Sequence, residues 1–352
     1  MIRIRKMSLI GMVLGLAALV GCGSSGTHTA YVALANSNTV AAFRIDNHSA
    51  KFTPIVGSPF PTGNSPSSVV VHPGGKFVYV ANQRENTISL FYIDSSIGSL
   101  TEVLPRTFTG LTPVSMVMDT GGTFLFAVNQ LSSNISVYTI TPGTGVLKAV
   151  AGSPFATFPN PVAAALSPSG KFFYVVNPNL SSVIAFSVTS GVLTAVGRPV
   201  LVDAGPQAVT VDPSEKFVYV ANTGANTVSV LAINSTTGAL TPVQSFTTGT
   251  QPFSLGVLGQ FLYVSNLGSS NISVFSVDPT TGVLTQITSS PFSGGGSALF
   301  MVIDPNGNFL YTGSQSAKSI SVLSITPSTG ALTTTSQSAA TGVAPSSMSV
   351  SK

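Results

Sequence analysis

An aromatic residue recurs along the chain at nearly constant intervals: Tyr31, Tyr79, Phe126, Tyr174, Tyr219, Tyr263 and Tyr311, spaced 48, 47, 48, 45, 44 and 48 residues apart. A fixed period of this length marks a repeat architecture, in which each unit buries its apolar surface only against its neighbours. Six of the eight tyrosines occupy this one position. Each unit reads alike around it. A strand of the type PSSVVV (from Pro66) leads through a turn such as PGGK to F-x-Y-V-x-N, as in FVYVAN from Phe77 and again from Phe217. A short loop then precedes an alternating segment such as TISLFYI, NISVYTI or TVSVLAI, and the unit ends in G-x-L-T, as in GSLT from Gly98. Apolar and polar residues alternating with period two predict half-buried strands, with the Gly, Pro, Asn and Ser clusters as turns. Charged residues make up only 7% of the chain, against a typical ~25%. This suits strands faced with Ser, Thr and Asn rather than charged surface helices.

Four short strands in each repeat are the content of a β-propeller blade. The expected fold class is therefore all-β, a seven-bladed β-propeller of four-stranded blades spanning 30–352. The first repeat lacks its first strand, and PSSMSVSK at the end of the chain matches PSSVVVHP. The C-terminal strand is expected to join the N-terminal three and close the ring, which hides sheet edges.

Residues 1–21 read as a signal peptide. Arg3, Arg5 and Lys6 precede a 15-residue stretch, Met7 to Gly21, in which only Ser8 is polar. This is shorter than the ~20 residues of a membrane span. Leu19-Val20-Gly21-Cys22 resembles a bacterial lipobox, which implies acylation of Cys22, the single cysteine, with 22–29 as lipidated residue and tether. The expectation is a lipid-anchored protein of the bacterial cell envelope. Without the three N-terminal cations the chain has 11 basic and 10 acidic side chains, a net of +1. No basic stripe interleaved with aromatics points to nucleic acid.

F-x-Y-V-x-N followed by N-T-I/V-S-V and P-x-G-K resembles the YVTN repeat. The chain from residue 30 on is similar to the seven-bladed lactonase-like propellers, the family of 6-phosphogluconolactonase. That resemblance implies a ligand face at the loops between second and third strands and at the blade-to-blade connectors. The aspartates 46, 94, 119, 212, 278 and 304 fall at turns on the opposite face, where a short carboxylate bonds nearby backbone N–H groups. His48 and His72 fall there too, and His28 in the tether. No histidine reaches the ligand face, and no metal-binding motif or cofactor signature is present.

On the ligand face the candidate binding residues are Gln83, Arg84, Glu85, Gln130, Asn177, Asn179 and Gln207, with Arg84 and Glu85 as a candidate ligand-binding pair. Asp203, alone among the aspartates outside the lower turns, is the candidate base, with Arg84 or Arg198 as cation. The resemblance implies G-P-R-H at a first strand and V-N-E-L in the next loop. Here Val162 or Gln207 stands at the Arg position, Ala163 or Ala208 at the His, and Gln130 or Pro178 at the Glu. Neutral side chains take no proton from water. The expected function is therefore a monomeric, non-enzymatic binding scaffold for an envelope protein or a glycan, without cofactor or metal. The alternative is a lactone hydrolase.

Overall fold

The computed structural model describes residues 26–351 except residue 295. Residues 1–21, read above as a signal peptide, and Cys22 lie outside the described residues. Seven antiparallel sheets follow one another around a ring, each with strands in the order inner, second, third, outer. Among the described residues no helix is long and apolar enough to cross a membrane.

The inner strands are Ser347–Val350 for blade 1 and Pro66–Val71, Pro113–Met118, Ala163–Leu166, Pro206–Val211, Pro252–Leu258 and Ala298–Ile303 for blades 2 to 7. Blade 1 is completed as the sequence predicts. The C-terminal strand pairs antiparallel with Thr27–Leu34, matching Ala30 to Val350, Tyr31 to Ser349 and Val32 to Met348. One boundary moves. The second strand of blade 1 begins at Thr27, so Thr27 to Thr29, assigned from sequence to the tether, belong to the ring. His28 is buried there, its Nε2 3.0 Å from Nδ2 of Asn306 in blade 7. The T-H-T alternation is too short to register as a strand without its partners on both sides.

The F-x-Y-V-x-N segments are the second strands, and in blades 2, 4, 5 and 6 all six residues are buried. Being covered on both faces by neighbouring blades, they lose the alternation that the third strands keep. The core is divided among the interfaces, one apolar cluster between each pair of adjacent blades. All six repeat tyrosines are 0–1% exposed. Three of their hydroxyls reach across the interface: Tyr31 donates to the Gly98 carbonyl at 2.9 Å, Tyr79 to Gly145 at 2.7 Å and Tyr174 to Gly238 at 3.2 Å, whereas those of Tyr219 and Tyr263 are buried without a partner among the described residues. Each acceptor is the turn glycine of the next blade. Gly145 has φ +68, and a Cβ there would lie 2.7 Å from the Phe77 ring. The turn must therefore be glycine for its carbonyl to come this close.

Removing the Tyr79 hydroxyl leaves a buried carbonyl without its donor. Tyr79→Phe is expected to cost about 1–2 kcal/mol, read as a lower denaturant midpoint at unchanged slope. Tyr92→Phe, at a partly exposed tyrosine, should shift stability by less than about 0.5 kcal/mol. Equal shifts in the two variants would deny the inter-blade tie any energetic weight.

The aspartate turns form as expected. Asp119 accepts from the backbone N–H of Thr123 and Phe124, Asp304 from those of Asn306 and Phe309, and Asp46 from those of His48 and Ser49. These bonds, led by that of Ser49, hold the Asp46 carboxyl below the usual range. His72 joins two such turns, accepting from Gly74 N–H through Nδ1 and meeting the Gly122 carbonyl through Nε2 at 3.0 Å. These side chains are occupied in the face opposite the loops between second and third strands.

Candidate functional site

The loops of the upper face stand on a repeated asparagine. Asn82, Asn129, Asn222 and Asn266 end the second strands of blades 2, 3, 5 and 6, and all are buried. Each donates through Nδ2 to two residues of the third strand. Asn82 reaches Thr87 at 3.1 Å and Ser89 at 3.0 Å, and Asn129 reaches Asn134 at 2.8 Å and Ser136 at 2.9 Å. These bonds fix the base of a loop that is otherwise only four residues long in blade 2. They are structural, and they set where the loop tips project.

Between the loop tips of blades 2 and 3 lies a pocket of about 400 Å³, within the range of small-molecule sites. Blade 2 contributes Gln83, Arg84 and Asn86, and blade 3 contributes Leu131. Ser65, Leu111 and Thr112 come from the connectors leading into the two blades. The frame is pinned by hydrogen bonds. Gln83 N–H donates to the Ser65 carbonyl at 2.9 Å and Arg84 N–H to the Asn64 carbonyl at 3.2 Å. Asn86 holds a left-handed φ of 59°, which Asn tolerates. Its Oδ1 accepts the Thr112 N–H at 2.8 Å. Gln130 N–H donates to the Thr112 carbonyl at 2.9 Å, and Leu111 N–H donates to the Ser132 hydroxyl.

Arg84 is exposed at the rim. Among the described residues the ion pairs belong to another arginine, Arg106, so the Arg84 guanidinium has no carboxylate of its own. Of the two candidate ligand-binding charges, Glu85 is engaged by other groups. Glu85 turns outward to Arg106 Nη1 at 2.9 Å, and its second oxygen accepts the Asn64 N–H at 3.0 Å. Arg106 in turn grips Glu102 with two bonds, of 2.7 and 3.1 Å. Burial alone would raise the Glu85 carboxyl, but Arg106 and the Asn64 N–H outweigh it and hold it below the usual range. Glu85 is thus ionised at neutral pH and a weak proton acceptor, a brace for the loop rather than a base.

The other sequence candidates are scattered. Gln130 adjoins the pocket through Thr112. Asn177 is buried in its own loop, donating to the Pro159 carbonyl at 2.6 Å and accepting from Leu180 N–H at 3.2 Å. Asn179 is exposed beside Asn160, 3.3 Å away. Gln207 sits half-buried at a bulge opening the inner strand of blade 5. Asp203 accepts a 2.6 Å bond from the Thr227 hydroxyl and lines a groove with Val202, Pro242 and Gln244, on the strands of blade 5 away from the inner ring. Arg198 projects from a bulge in the outer strand of blade 4. Neither Arg84 nor Arg198 forms an ion pair with Asp203 among the described residues. Among the described residues there is no cluster of three or more His, Cys, Asp or Glu able to hold a metal ion.

Ser65, Leu111, Thr112 and Leu131 were missed by the sequence reading, as was the bracing role of Glu102 and Arg106. A signal for the leucines exists. Position 131 aligns across the repeats with Asn36, Arg84, Asn179, Gly224, Gly268 and Ser316. A leucine at that position departs from every other copy.

A family model described as "Lactonase, 7-bladed beta-propeller" matches residues 24–164, 151–257 and 255–350, which together span the ring. Compared by sequence with curated proteins, the chain matches none. Solved structures share the fold. A candidate 6-phosphogluconolactonase of Bacteroides uniformis aligns with TM-score 0.80 at 22% identity, over 92% of this chain and 99% of that one. The periplasmic gluconolactonase PpgL of Pseudomonas aeruginosa aligns with TM-score 0.79 at 18% identity, over 93% and 99%. A Lactobacillus plantarum protein aligns with TM-score 0.77 at 17% identity, over 93% and 100%. The family match overturns the expectation of a non-enzymatic scaffold. That expectation rested on neutral residues at the aligned strand positions, Val162, Ala163, Gln207 and Ala208, and on Gln130 and Pro178 in the loops. It took no account of a pocket built between two blades.

Proposed function

The chain belongs to the lactonase family of seven-bladed β-propellers, and on that premise we propose that it hydrolyses a lactone at the pocket between blades 2 and 3. The observation that carries this reading is the Arg84 guanidinium, free of carboxylates among the described residues and set beside Gln83 in a braced pocket. In lactone hydrolysis water adds to the carbonyl carbon and the carbonyl oxygen takes up negative charge. The ring C–O bond then breaks, and the ring oxygen leaves with a proton as the hydroxyl of a hydroxy acid. A fixed cation beside the carbonyl oxygen stabilises that charge as it develops. None of the pocket's lining residues is a carboxylate or an imidazole, so its contribution is electrostatic and positional rather than proton transfer. The test is a pH-stat assay of the chain lacking residues 1–21 on a panel of sugar and alkyl lactones. Failure to exceed the spontaneous rate on every member would end this reading.

We also place the protein in the bacterial cell envelope, anchored through an acylated Cys22. Support comes from Arg3, Arg5 and Lys6, the apolar stretch after them and the small residue before the cysteine. Cys22→Ser is expected to move the protein out of the membrane fraction. Wild-type protein that is soluble and carries no lipid by mass spectrometry would count against the anchor.

A further inference from the structure

We infer that this pocket takes an amphiphilic lactone, its ester over Arg84 and a hydrocarbon chain lying across Leu111 and Leu131; this rests on the lactonase reading above. Leu111 and Leu131 leave 53% and 71% of their surface exposed. Large apolar residues spread singly over a surface need no explanation, but these two face one pocket. They are also held in place. Leu111 is tied to the blade 3 loop by its N–H on the Ser132 hydroxyl, and its carbonyl accepts from Ser132 N–H at 3.4 Å. The next residue, Thr112, is fastened to Asn86 of blade 2 at 2.8 Å.

The internal repeat supplies a background against which Leu131 in particular stands out. At the loop position of Leu131 the other blades carry Asn, Gly, Ser or, in blade 2, Arg84 itself. At the connector position of Leu111, two residues before the inner-strand proline (Ala298 in blade 7), they carry Asn64, Pro159, Ala204, Thr250, Gly296 and Val343, none of them a leucine. The cation and the leucine pair thus occupy equivalent and neighbouring repeat positions, and they converge only where blade 2 meets blade 3. A sugar lactone, with hydroxyls on every face, gains nothing from such a wall. An alkyl lactone removes it from water, and its ring-opened acid leaves a carboxylate at Arg84.

The experiment is steady-state kinetics of the chain lacking residues 1–21 on γ-lactones of increasing alkyl length, butyrolactone to nonalactone, with glucono-δ-lactone for comparison. The expected result is a rise in kcat/KM of roughly twofold to fourfold per added methylene, with the longer lactones preferred over gluconolactone. Leu131→Asn, the residue blade 4 carries at this position, should lower the nonalactone-to-butyrolactone ratio by about tenfold. Leu104→Asn, at an exposed leucine on the outer strand of blade 2, should leave that ratio unchanged. A flat series, or a ratio indifferent to Leu131→Asn, overturns the inference while leaving the lactonase reading intact. Absence of turnover on every lactone overturns the lactonase reading instead. Calorimetry with the ring-opened acid of nonalactone then decides the rest: binding weakened by Leu131→Asn supports an amphiphile pocket, and no binding overturns it.

Discussion

Deletion of residues 345–352 is expected to leave no soluble, folded ring. The segment is small, but it serves two blades at once. On one side Ser347–Val350 is the inner strand of blade 1, with Ser346 N–H on the Ala33 carbonyl and Ser351 N–H on the Thr29 carbonyl, at 2.9 and 2.8 Å. On the other side its serines cap the inner edge of blade 2. Ser347 and Ser349 hydroxyls accept from Val69 and Val71 N–H at 3.3 and 3.1 Å, and Ser346 donates to the Pro66 carbonyl at 2.7 Å. Met348 is 6% exposed and packs with Ala30 and Val32. Truncating one such buried side chain costs about 2–5 kcal/mol. Losing the whole strand also exposes the ladder edge of Thr27–Leu34, an invitation to pair with another chain. Total stability of a domain is about 5–15 kcal/mol, so the deletion consumes most of it. Size-exclusion chromatography and thermal melting check this. A truncated monomer with an unchanged melting temperature would show that the ring does not depend on its closure.

Arg84→Ala is expected to lower kcat/KM for lactone hydrolysis by about 10²–10³-fold, the usual effect of removing one group that stabilises a developing oxyanion. Arg84→Lys should recover part of the loss, since charge returns without the planar, two-pronged donor. Asp203→Asn, in contrast, is expected to stay near wild type. Its carboxylate is engaged by Thr227 in a groove on blade 5, and an amide oxygen accepts the same bond. Rates for the three variants on one substrate separate the possible sites. Collapse in Asp203→Asn with full activity in Arg84→Ala would move the chemistry to that groove.

The repeat, the strand order within each blade and the closure were legible in the sequence, because each depends on local information. Period-two alternation needs only neighbouring residues, and the spacing of Tyr31 to Tyr311 needs only counting. A finer feature was present but unread. Gly57 to Phe60 and Gly152 to Phe155 share G-S-P-F, and Ser289 to Phe292 is S-S-P-F. At these points the outer strands of blades 1, 3 and 6 are split in two, and Ser58, Ser153 and Ser290 each accept a third-strand N–H at 2.9 Å. What the sequence by itself determined is therefore the scaffold and the face on which the variable loops stand. Only the tertiary structure decided the partners. Glu85 meets Arg106, 21 residues on, instead of the adjacent Arg84, because a blade folds its outer strand back beside its own loop. Arg84 and Leu131, one full repeat apart in sequence, share a pocket because their blades are neighbours in the ring. The alternation of a strand states which face a residue takes. Which loops meet above that face is set by how the blades pack, and packing between sheets leaves no local trace in the chain.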